Sequence, residues 1–367
     1  MTFTTEEQIS QAVRDSKTPL IIQGGGTRQA QAPSGPILSL AGYSGIDLYE
    51  PEALTLIAKA GTPMDEIAQT LEAQGQMLAF EPMDHRVALQ TQGIPTIGGA
   101  IAGNVSGPRR IAAGAARDFI LGARFVTGSG DIVKNGGRVM KNVTGYDLSR
   151  LLAGSWGQLA AITQIALKTL PKPQATQTLC IEGLTAATAR DAMTRAMGLP
   201  YDVSGATSTS LKGKMTIYLR LEGLGPSVER RIRALQADLA SFGASVIMGQ
   251  EASEMLWPSL RDVAQLAAHD GDIWAIHTSP SHAPDVCAQL TDDYIMDWAG
   301  ARIWACVPKG STPRSTLTLR TGHMRPLRAH AAPFEPQSGS KAALAQAVKT
   351  QFDPQAKFAG LSVDESV

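Results

Sequence analysis

The sequence predicts an α+β protein of about two domains. The chain has 367 residues, and with 43% hydrophobic and 18% charged residues it can fill a core in each domain. The composition shifts at "PKPQATQ", residues 171–177. The part that follows mixes helix with alternating strands, an order that favours an α+β layer.

In the first part, residues 1–172, a helix is predicted for residues 4–16, with Thr4 or Thr5 as its N-cap. A second helix, "TPMDEIAQTLEAQGQ", has Thr62 as its cap, Pro63 at its first position and Gly75 at its end. "FILGARFVTGSGDIV" predicts a hairpin that turns at "GSGD". Further strands are predicted at "PLIIQ", "GPILSL", "LTLIAKA" and "WGQLAAITQIALKTL".

In the second part, residues 173–330, the sequence "PSVERRIRALQADLASFG" predicts a helix. Strands are predicted at "KMTIYLRLEG", "GDIWAIHTSP" and "ARIWACVP". The linker "APFEPQSGS" and a final helix, "KAALAQAVKTQFDP", belong to a third segment, residues 331–367.

Charge and cysteine usage exclude several function classes. The 33 basic and 33 acidic residues leave no basic excess, so we expect neither nucleic acid nor an anionic membrane surface as a partner. Cys180, Cys287 and Cys306 form no CxxC, so we expect no disulfide framework and no cysteine metal site. The polar, acidic N-terminus is no signal peptide and no apolar run approaches about 18 residues, so we expect a cytoplasmic protein without direct membrane insertion.

Glycine-rich stretches carry the strongest functional signal. "IIQGGGT" places Gly24, Gly25 and Gly26 directly after a strand, where glycine can take φ > 0 and present N–H groups to an anion. A tight turn is the alternative interpretation. A Rossmann fingerprint fits poorly because Gln29 stands at its third glycine position, and no Walker A G-K-[ST] follows.

A second stretch, "GIPTIGGAIAGNVSGPRR", has Thr96, Gly98 and Gly99 leading into the helix-like run "AIAGN". A helix N-terminus there would favour a phosphate. Two glycine-rich stretches in one domain, each able to bind an anion, indicate a diphosphate-bearing cofactor held from two sides. The alternative is that the glycines only permit close packing of the backbone.

In a third stretch, "KNVTGYDLSRLLAGSWGQLAAIT", glycines again precede a strand. Asp147 and Arg150 within it are interpreted as a solvated ion pair.

Together these stretches and the late "KTQFDP" resemble the FAD-binding domain of the vanillyl-alcohol-oxidase type, also called the PCMH-type FAD domain. Within that family the similarity is to the FAD-binding E subunits of bacterial glycolate oxidases. It is strong over about the first 172 residues, weak through the second part, and returns in the last helix. It implies a PCMH-type FAD-binding domain of two α/β subdomains, then a smaller α+β cap domain. The C-terminal segment would return to the flavin side.

The resemblance also implies a set of cofactor-binding residues, namely Gly24, Gly25, Gly26, Thr27, Thr96, Gly98, Gly99, Asn104, Ser106, Gly107 and Ile162. The first four would hold the FAD pyrophosphate from one loop, and the next three from the other. Asn104, Ser106 and Gly107 would lie along the flavin, and Ile162 would place its backbone near the adenine or ribose.

The chain departs from the family pattern at two places. Many members bind flavin covalently through a histidine near the first glycine loop or through a cysteine. Here "GGGTRQAQ" contains no histidine and all three cysteines follow Pro171, so we expect non-covalent FAD. The usual ending, "FDP" and then phenylalanine with "NPG", is here "FDPQAKFAGLSVDESV", without that Asn and Pro.

No catalytic residue is assigned from the sequence. Relatives that oxidise 2-hydroxy acids carry a cluster resembling "HxGDGNxH", and the nearest string here is "HDGDIWAIH", from His269 to His277. We interpret this string as a helix end running into a strand and expect no metal site. In "GHMRPLRAH", His323 and His330 flank two arginines that could clamp a carboxylate, but we interpret this segment as a solvated basic loop. No G-x-S-x-G elbow is present.

The resemblance therefore implies the FAD-binding subunit of a glycolate oxidase, or glycolate dehydrogenase, complex. Such a complex oxidises glycolate to glyoxylate and passes electrons through flavin to an iron–sulfur F subunit, with an FAD-linked D subunit as the other partner. Any membrane association would come through the complex. Two alternatives stay open: a stand-alone FAD-dependent 2-hydroxy-acid dehydrogenase of the D-lactate type, and a structural subunit without flavin.

The tryptophans of the second part, Trp257, Trp274, Trp298 and Trp304, are expected to be mostly core. A partner surface is the alternative interpretation.

Overall fold

A computed structural model describes residues 3–28, 35–138, 145–211, 213–291, 294–332 and 334–360. The α+β fold class is confirmed: helices and strands are mixed along the whole chain. The elements of the first part are α1 (Glu6–Asp15), β1 (Ile21–Gln23), β2 (Ile37–Ser39), β3 (Ile46–Glu50), β4 (Thr55–Lys59), α2 (Met64–Glu72), β5 (Gln76–Met77), α3 (His85–Leu89), α4 (Ile97–Ala102), α5 (Arg110–Ala113), β6 (Ile120–Val126), β7 (Ile132–Gly136), α6 (Leu148–Leu152), β8 (Ala161–Lys168) and β9 (Leu170–Pro171).

The second part continues the same mixture of elements. They are β10 (Ala175–Leu184), α7 (Ala186–Gly198), β11 (Val203–Leu211), β12 (Lys214–Gly223), α8 (Gly225–Asp238), β13 (Ser245–Met248), α9 (Gln250–Arg261), α10 (Ala264–Ala267), β14 (Asp272–His277), α11 (Ala283–Cys287), β15 (Tyr294–Asp297), β16 (Arg302–Val307), α12 (Pro313–Thr316), β17 (His323–Arg328) and α13 (Gly339–Phe352). Among the described residues, no helix is both long and apolar enough to span a bilayer.

Two large antiparallel sheets divide the chain. The first has the order β3-β4-β8-β6-β7, and the second the order β13-β10-β12-β11-β15-β16-β14-β17. A small parallel pair, β1-β2, leads into the first glycine loop, and β5 pairs with β9. Because the two large sheets share no strand, we propose the predicted division after residue 172 as the domain boundary.

Side-chain caps explain where some of the helices begin. Thr5 caps α1, since its Oγ1 accepts a hydrogen bond from Gln8 N at 3.3 Å in a capping box. Asp147 caps α6 and pairs with Arg150 at 3.2 Å, with both side chains about half exposed, as predicted. Residues 141–144 of the same stretch lie outside the described residues.

The prediction that Thr62 caps α2 is wrong. Pro63 occupies the N-cap, and no side chain caps the helix. The buried Thr62 hydroxyl instead donates to Lys59 O at 2.7 Å and accepts from Gly45 N at 2.9 Å. A buried hydroxyl needs a partner, and the neighbouring backbone supplies it here.

Apolar packing and a buried charge network hold the two parts together. Met83 and Val105 of the first part pack in one cluster with Ile273 and Trp304 of the second. The tryptophans are buried, so the interpretation of Trp257, Trp274, Trp298 and Trp304 as an exposed partner surface is wrong.

In the charge network Arg220, only 2% exposed, pairs with Glu81 at 2.8 Å, and Arg109 pairs with Glu222 at 2.7 Å. Buried charges of this kind must be paired, so the network fixes how the two parts meet.

The C-terminal segment returns to the first part. Leu20, just before β1, donates its N–H to Lys357 O at 2.7 Å and accepts from Ala359 N at 2.9 Å. The Asp353 carboxylate accepts from the N–H groups of Lys357 and Phe358, at 2.7 and 2.9 Å. The altered tail beyond residue 360 lies outside the described residues.

Candidate functional site

A cavity of about 700 Å³ opens where β1 ends in the first glycine loop. The predicted residues that line it are Gly24, Gly25, Gly26, Thr27, Thr96, Gly98, Gly99 and Ile162. The two glycine stretches touch: a Cβ at Gly25 would lie 1.7 Å from Ile94 O, and one at Gly24 would lie 2.3 Å from Thr96 Oγ1. Only glycine permits this close approach of two backbones.

The first glycine loop offers a row of N–H donors. The amides of residues 24–27 donate to no described residue. The pairing of β1 with β2 ends where Leu40 N donates to Gln23 O at 2.8 Å, so the ladder stops just before the loop. Successive N–H groups without protein acceptors form a concavity suited to an anion.

The second glycine stretch contributes differently from what the sequence suggested. Thr96 caps α4, but Ile97 N donates to Thr62 O at 3.0 Å and Gly98 N to Ala60 O at 2.8 Å. Gly99 N is bonded to Thr96 Oγ1 at 3.3 Å. The expectation that these amides cradle a phosphate is therefore corrected. They are taken by the protein itself, and Gly98 serves close packing, because its Cβ would lie 2.7 Å from that of Ala60.

Arg28, directly after the first loop, supplies positive charge instead. It lines both this cavity and a second one, and a Cβ at Gly99 would lie 3.1 Å from its Nη1. Its Nε is buried without a hydrogen-bond partner, and burial lowers the guanidinium pKa to about 10, with nearby Asp84 opposing the shift. A buried guanidinium with an unpaired N–H group is stabilised by a bound anion.

The second cavity, of about 1070 Å³, meets the first at Arg28 and Trp156. Predicted Asn104 and Ser106 line it. Gly107 does not: its N–H donates to Phe80 O at 2.8 Å, and its carbonyl accepts from the Trp298 indole at 2.9 Å. The structure thus brings all the predicted site residues except Gly107 to two connected cavities.

Basic side chains from three neighbouring strands line the second cavity. His277 ends β14, Arg302 begins β16, and β17 carries His323 and Arg325. The pairing of β14 with β17 sets His277 opposite His323, and their rings stack with centroids 4.6 Å apart. Arg110 of α5 completes the group, 4.6 Å above the Trp298 ring.

The interpretation of "GHMRPLRAH" as a solvated loop is wrong. Residues 323–328 form strand β17, paired with β14, and the Arg325 guanidinium lies 4.0 Å from the Trp156 ring centroid. His330 is exposed outside the strand. The interpretation of "HDGDIWAIH" as a helix end running into a strand is confirmed by α10 and β14. Among the described residues, no three His, Cys, Asp or Glu side chains gather as a candidate metal site.

Burial keeps two histidines of the second cavity neutral. It lowers the pKa of His277 to about 3, and Arg302 and His323 reinforce the effect. It lowers the pKa of His85 to about 3 as well, helped by Arg28. At neutral pH each of these imidazoles is uncharged and has one ring nitrogen that can accept a hydrogen bond.

The residues that sequence reasoning missed sit mainly on strands. Arg28, Trp156 and Arg302 had no role predicted from the sequence, whereas His277 and Arg325 were interpreted as part of a strand and of a solvated loop. Strand pairing brings His277, Arg302 and Arg325 together. One available signal was the two-residue period in "HMR", which sends His323 and Arg325 to the same face.

A diphosphate dinucleotide fits this arrangement. The N–H row of the first loop and the uncompensated Arg28 match a pyrophosphate. The second cavity adjoins the first at Trp156 and is lined by aromatic and basic side chains, a lining suited to a flavin ring.

Comparison with known proteins agrees with this fit. Residues 1–136 match the family described as "FAD binding domain". The chain is 34% identical to glycolate oxidase subunit GlcE of Escherichia coli strain K12 over 354 residues, which is 95% of this chain and 93% of that protein. Glycolate oxidase subunit GlcD of Bacillus subtilis strain 168 is 30% identical over 45% of this chain. That match spans only 34% of the GlcD protein.

A solved structure of alkyldihydroxyacetonephosphate synthase superposes with a TM-score of 0.71, covering 97% of this chain and 74% of the other at 14% identity. That likeness shows a shared fold. The 34% identity to GlcE, which extends over nearly the full length of both chains, also shows the family. The chain therefore belongs to the glycolate oxidase subunit GlcE family, and it is an FAD-binding oxidoreductase of the glycolate oxidase type.

Proposed function

We propose that this chain is the FAD-binding subunit of a complex that oxidises glycolate to glyoxylate. Its partners would be an FAD-linked D subunit and an iron–sulfur F subunit, and electrons would leave through the flavin to the iron–sulfur subunit. The observation that supports this most directly is the 34% identity to a glycolate oxidase subunit over 95% of the chain. We expect the complex to be cytoplasmic, with any membrane association made through its partners.

The residues of the first cavity would hold the dinucleotide. The N–H groups of residues 24–27 and the Arg28 guanidinium would bind the pyrophosphate, and the backbone of Ile162 would lie near the adenine or ribose. Thr96, Gly98 and Gly99 would form the opposite wall through their shape.

The second cavity would receive the flavin ring, with Asn104 and Ser106 along it. Gly107 supports that wall from behind by accepting from Trp298 Nε1. We propose non-covalent attachment, because none of Cys180, Cys287 and Cys306 is among the residues that line either cavity and the first glycine loop carries no histidine. Bound flavin supplies the chemistry that accepts two electrons and releases them singly.

One observation favours a second candidate function. Arg110, Arg325 and neutral His277 line the same cavity, where the two guanidinium groups could bind a carboxylate and the imidazole could accept a hydrogen bond from a hydroxyl. A stand-alone FAD-dependent 2-hydroxy-acid dehydrogenase would use such a set without any partner subunit.

The test is reconstitution of the complex from a tagged chain and the two partner subunits. The proposal expects co-purification, one FAD on this chain, and glycolate-dependent reduction of the iron–sulfur centres seen by electron paramagnetic resonance. A chain that reduces an artificial acceptor with glycolate at full rate without partners would favour the stand-alone dehydrogenase. A chain that stays colourless inside an assembled complex would favour a structural subunit without flavin.

A further inference from the structure

The segment of residues 104–107, at the wall of the second cavity, has one backbone amide without an acceptor. The N–H groups of Asn104, Val105 and Gly107 donate to backbone carbonyls at 2.8, 2.9 and 2.8 Å. The N–H of Ser106 donates to no described residue, although Ser106 is only 3% exposed and lines the cavity. Buried N–H groups without an acceptor are rare in folded proteins. The Ser106 amide is therefore a candidate donor to a ligand in this cavity.

Two side chains from the second part of the chain hold the two carbonyls that follow this amide. Arg302 Nη1 donates to Ser106 O at 3.0 Å, and Trp298 Nε1 donates to Gly107 O at 2.9 Å. Each donor is more than 190 residues from its acceptor in the sequence, by 196 and 191 residues. Because each peptide unit is planar, these bonds limit the rotation of residues 104–107 and with it the direction of the Ser106 N–H.

The two donors are themselves held by one buried carboxylate. Asp297 pairs with Arg302, and it accepts from Trp298 N at 2.8 Å and from Thr207 Oγ1 at 2.7 Å. The Arg302 guanidinium also lies over the Trp298 ring, 3.7 Å from its centroid. Asp297 and Arg302 are 1% and 6% exposed, so this group of hydrogen bonds is screened from water and rigid.

The turn that carries Trp298 is strained. Trp298 and Ala299, between β15 and β16, both have a φ of +54°, a left-handed conformation that is unfavourable for residues other than glycine. Asn104 and Trp156, which line the second cavity, also have positive φ, at +47° and +54°. Strained backbone persists only where surrounding contacts enforce it, and it concentrates at functional sites. The strain therefore supports a function for this turn beyond linking two strands.

We propose that Trp298 and Arg302 are positioning residues for the flavin, which hold the carbonyls of Gly107 and Ser106 so that the Ser106 N–H donates to an oxygen of the flavin ring. This inference rests on the proposed placement of the ring in the second cavity. Reduction adds negative charge to the ring, and a hydrogen bond to a charged acceptor is about twice as strong as one to a neutral acceptor. The second part of the chain would thus raise the reduction potential of a flavin that is held mainly by the first part.

The test compares the flavin reduction potential of the full-length FAD-loaded chain with that of Trp298→Phe. Phenylalanine keeps an aromatic ring beside Arg302 and removes the Nε1–H donor. The variant should shift the equilibrium between oxidised and reduced flavin about tenfold towards the oxidised form, the loss typical of one hydrogen bond. That shift is a potential about 30 mV lower for a two-electron couple. The visible spectrum of the flavin should change as well.

Trp257→Phe is the matched control. Trp257 is also a buried tryptophan of the second part, and its indole donates to Thr178 Oγ1 at 2.9 Å, but it lines neither cavity. Its replacement removes an equivalent hydrogen bond and should leave the flavin potential and spectrum at their wild-type values.

Amide hydrogen exchange in the wild-type chain is a second measurement, which decides the case in which Trp298→Phe does not fold. Binding of FAD should slow exchange more at Ser106 than at Val105, because the Val105 N–H already has an acceptor at 2.9 Å. A folded, yellow Trp298→Phe variant with the wild-type potential or a higher one overturns the inference, and so does equal slowing at Ser106 and Val105. Both results leave the flavoprotein proposal intact. A chain that binds no FAD contradicts the proposed function and overturns this inference with it.

Discussion

Replacing Gly25 by alanine should separate the two glycine stretches and weaken FAD binding. The new Cβ would lie 1.7 Å from Ile94 O and 2.7 Å from Ile94 C, and Cβ atoms are essentially never found within 3.0 Å of another atom. The first loop and the segment before α4 must therefore move apart by more than about 1 Å. The obstacle is backbone, so no side-chain rotation relieves it.

The cost can be estimated from the overlap. Overpacking a well-packed site costs about 1–3 kcal/mol. If the loop moves to relieve the overlap, its N–H groups leave the positions that bind the cofactor. The free energy of FAD binding then weakens by a similar amount, which corresponds to roughly 10- to 100-fold lower FAD affinity. Gly26→Ala should show a smaller effect. Its φ of +70° strains alanine, but the new Cβ would lie 3.4 Å from the Gln23 amide nitrogen.

The assay is a titration of FAD-depleted protein with FAD, followed by quenching of flavin fluorescence, with thermal unfolding as the folding check. Gly198→Ala is the matched control: nothing lies within 4 Å of its Cβ position, and it ends α7. It should leave FAD affinity unchanged and stabilise the fold by up to about 1 kcal/mol. A folded Gly25→Ala variant with wild-type FAD affinity would refute the role given to this close approach.

Three further changes test the rest of the structure. Glu81→Gln should lower the free energy of unfolding in urea by about 3–5 kcal/mol, because it strips buried Arg220 of a counter-charge; wild-type stability would show that the network is dispensable. Asp353→Ala should release the tail near Phe358 and speed its limited proteolysis, with a loss of about 1–3 kcal/mol, and an unchanged digestion pattern would count against this. Burial lowers the pKa of His85 from 6.5 to about 3, so below pH 6.5 the unfolded chain binds this proton first and stability falls as pH falls. His85 alone should contribute up to about 1.4 kcal/mol per pH unit, so the slope should be shallower by about that amount in His85→Gln, and equal slopes between pH 7 and 5 would contradict the buried neutral state.

Local rules were enough for features that depend on neighbours in sequence. The cap at Thr5, the hairpin at "GSGD" between β6 and β7, and the glycines that follow β1 all follow from short-range signals. The N-cap prediction for Thr62 was also based on a short-range signal, but it was wrong. The Thr62 hydroxyl accepts a hydrogen bond from the backbone of Gly45, 17 residues away, and does not cap the helix.

Features that depend on contacts between residues far apart in the chain could not be predicted from the sequence. The amides of α4 look available in the sequence, yet Ala60 O, on a neighbouring segment, occupies that of Gly98. Likewise, nothing in "GHMRPLRAH" shows that Arg325 will be buried against Trp156, because that contact needs strand pairing and the turn before β8 together. The dinucleotide loop could therefore be predicted from local sequence, whereas the basic second cavity could not.

The proposed FAD site depends on the first glycine loop and Arg28, which would bind the pyrophosphate. The most direct measurement is the FAD stoichiometry and affinity of the full-length chain beside those of Arg28→Gln, with bound FAD quantified after gel filtration. We expect one FAD per wild-type chain and at least tenfold weaker binding in the folded variant. A wild-type chain that takes up no FAD, or a variant that binds it equally well, would contradict the claim.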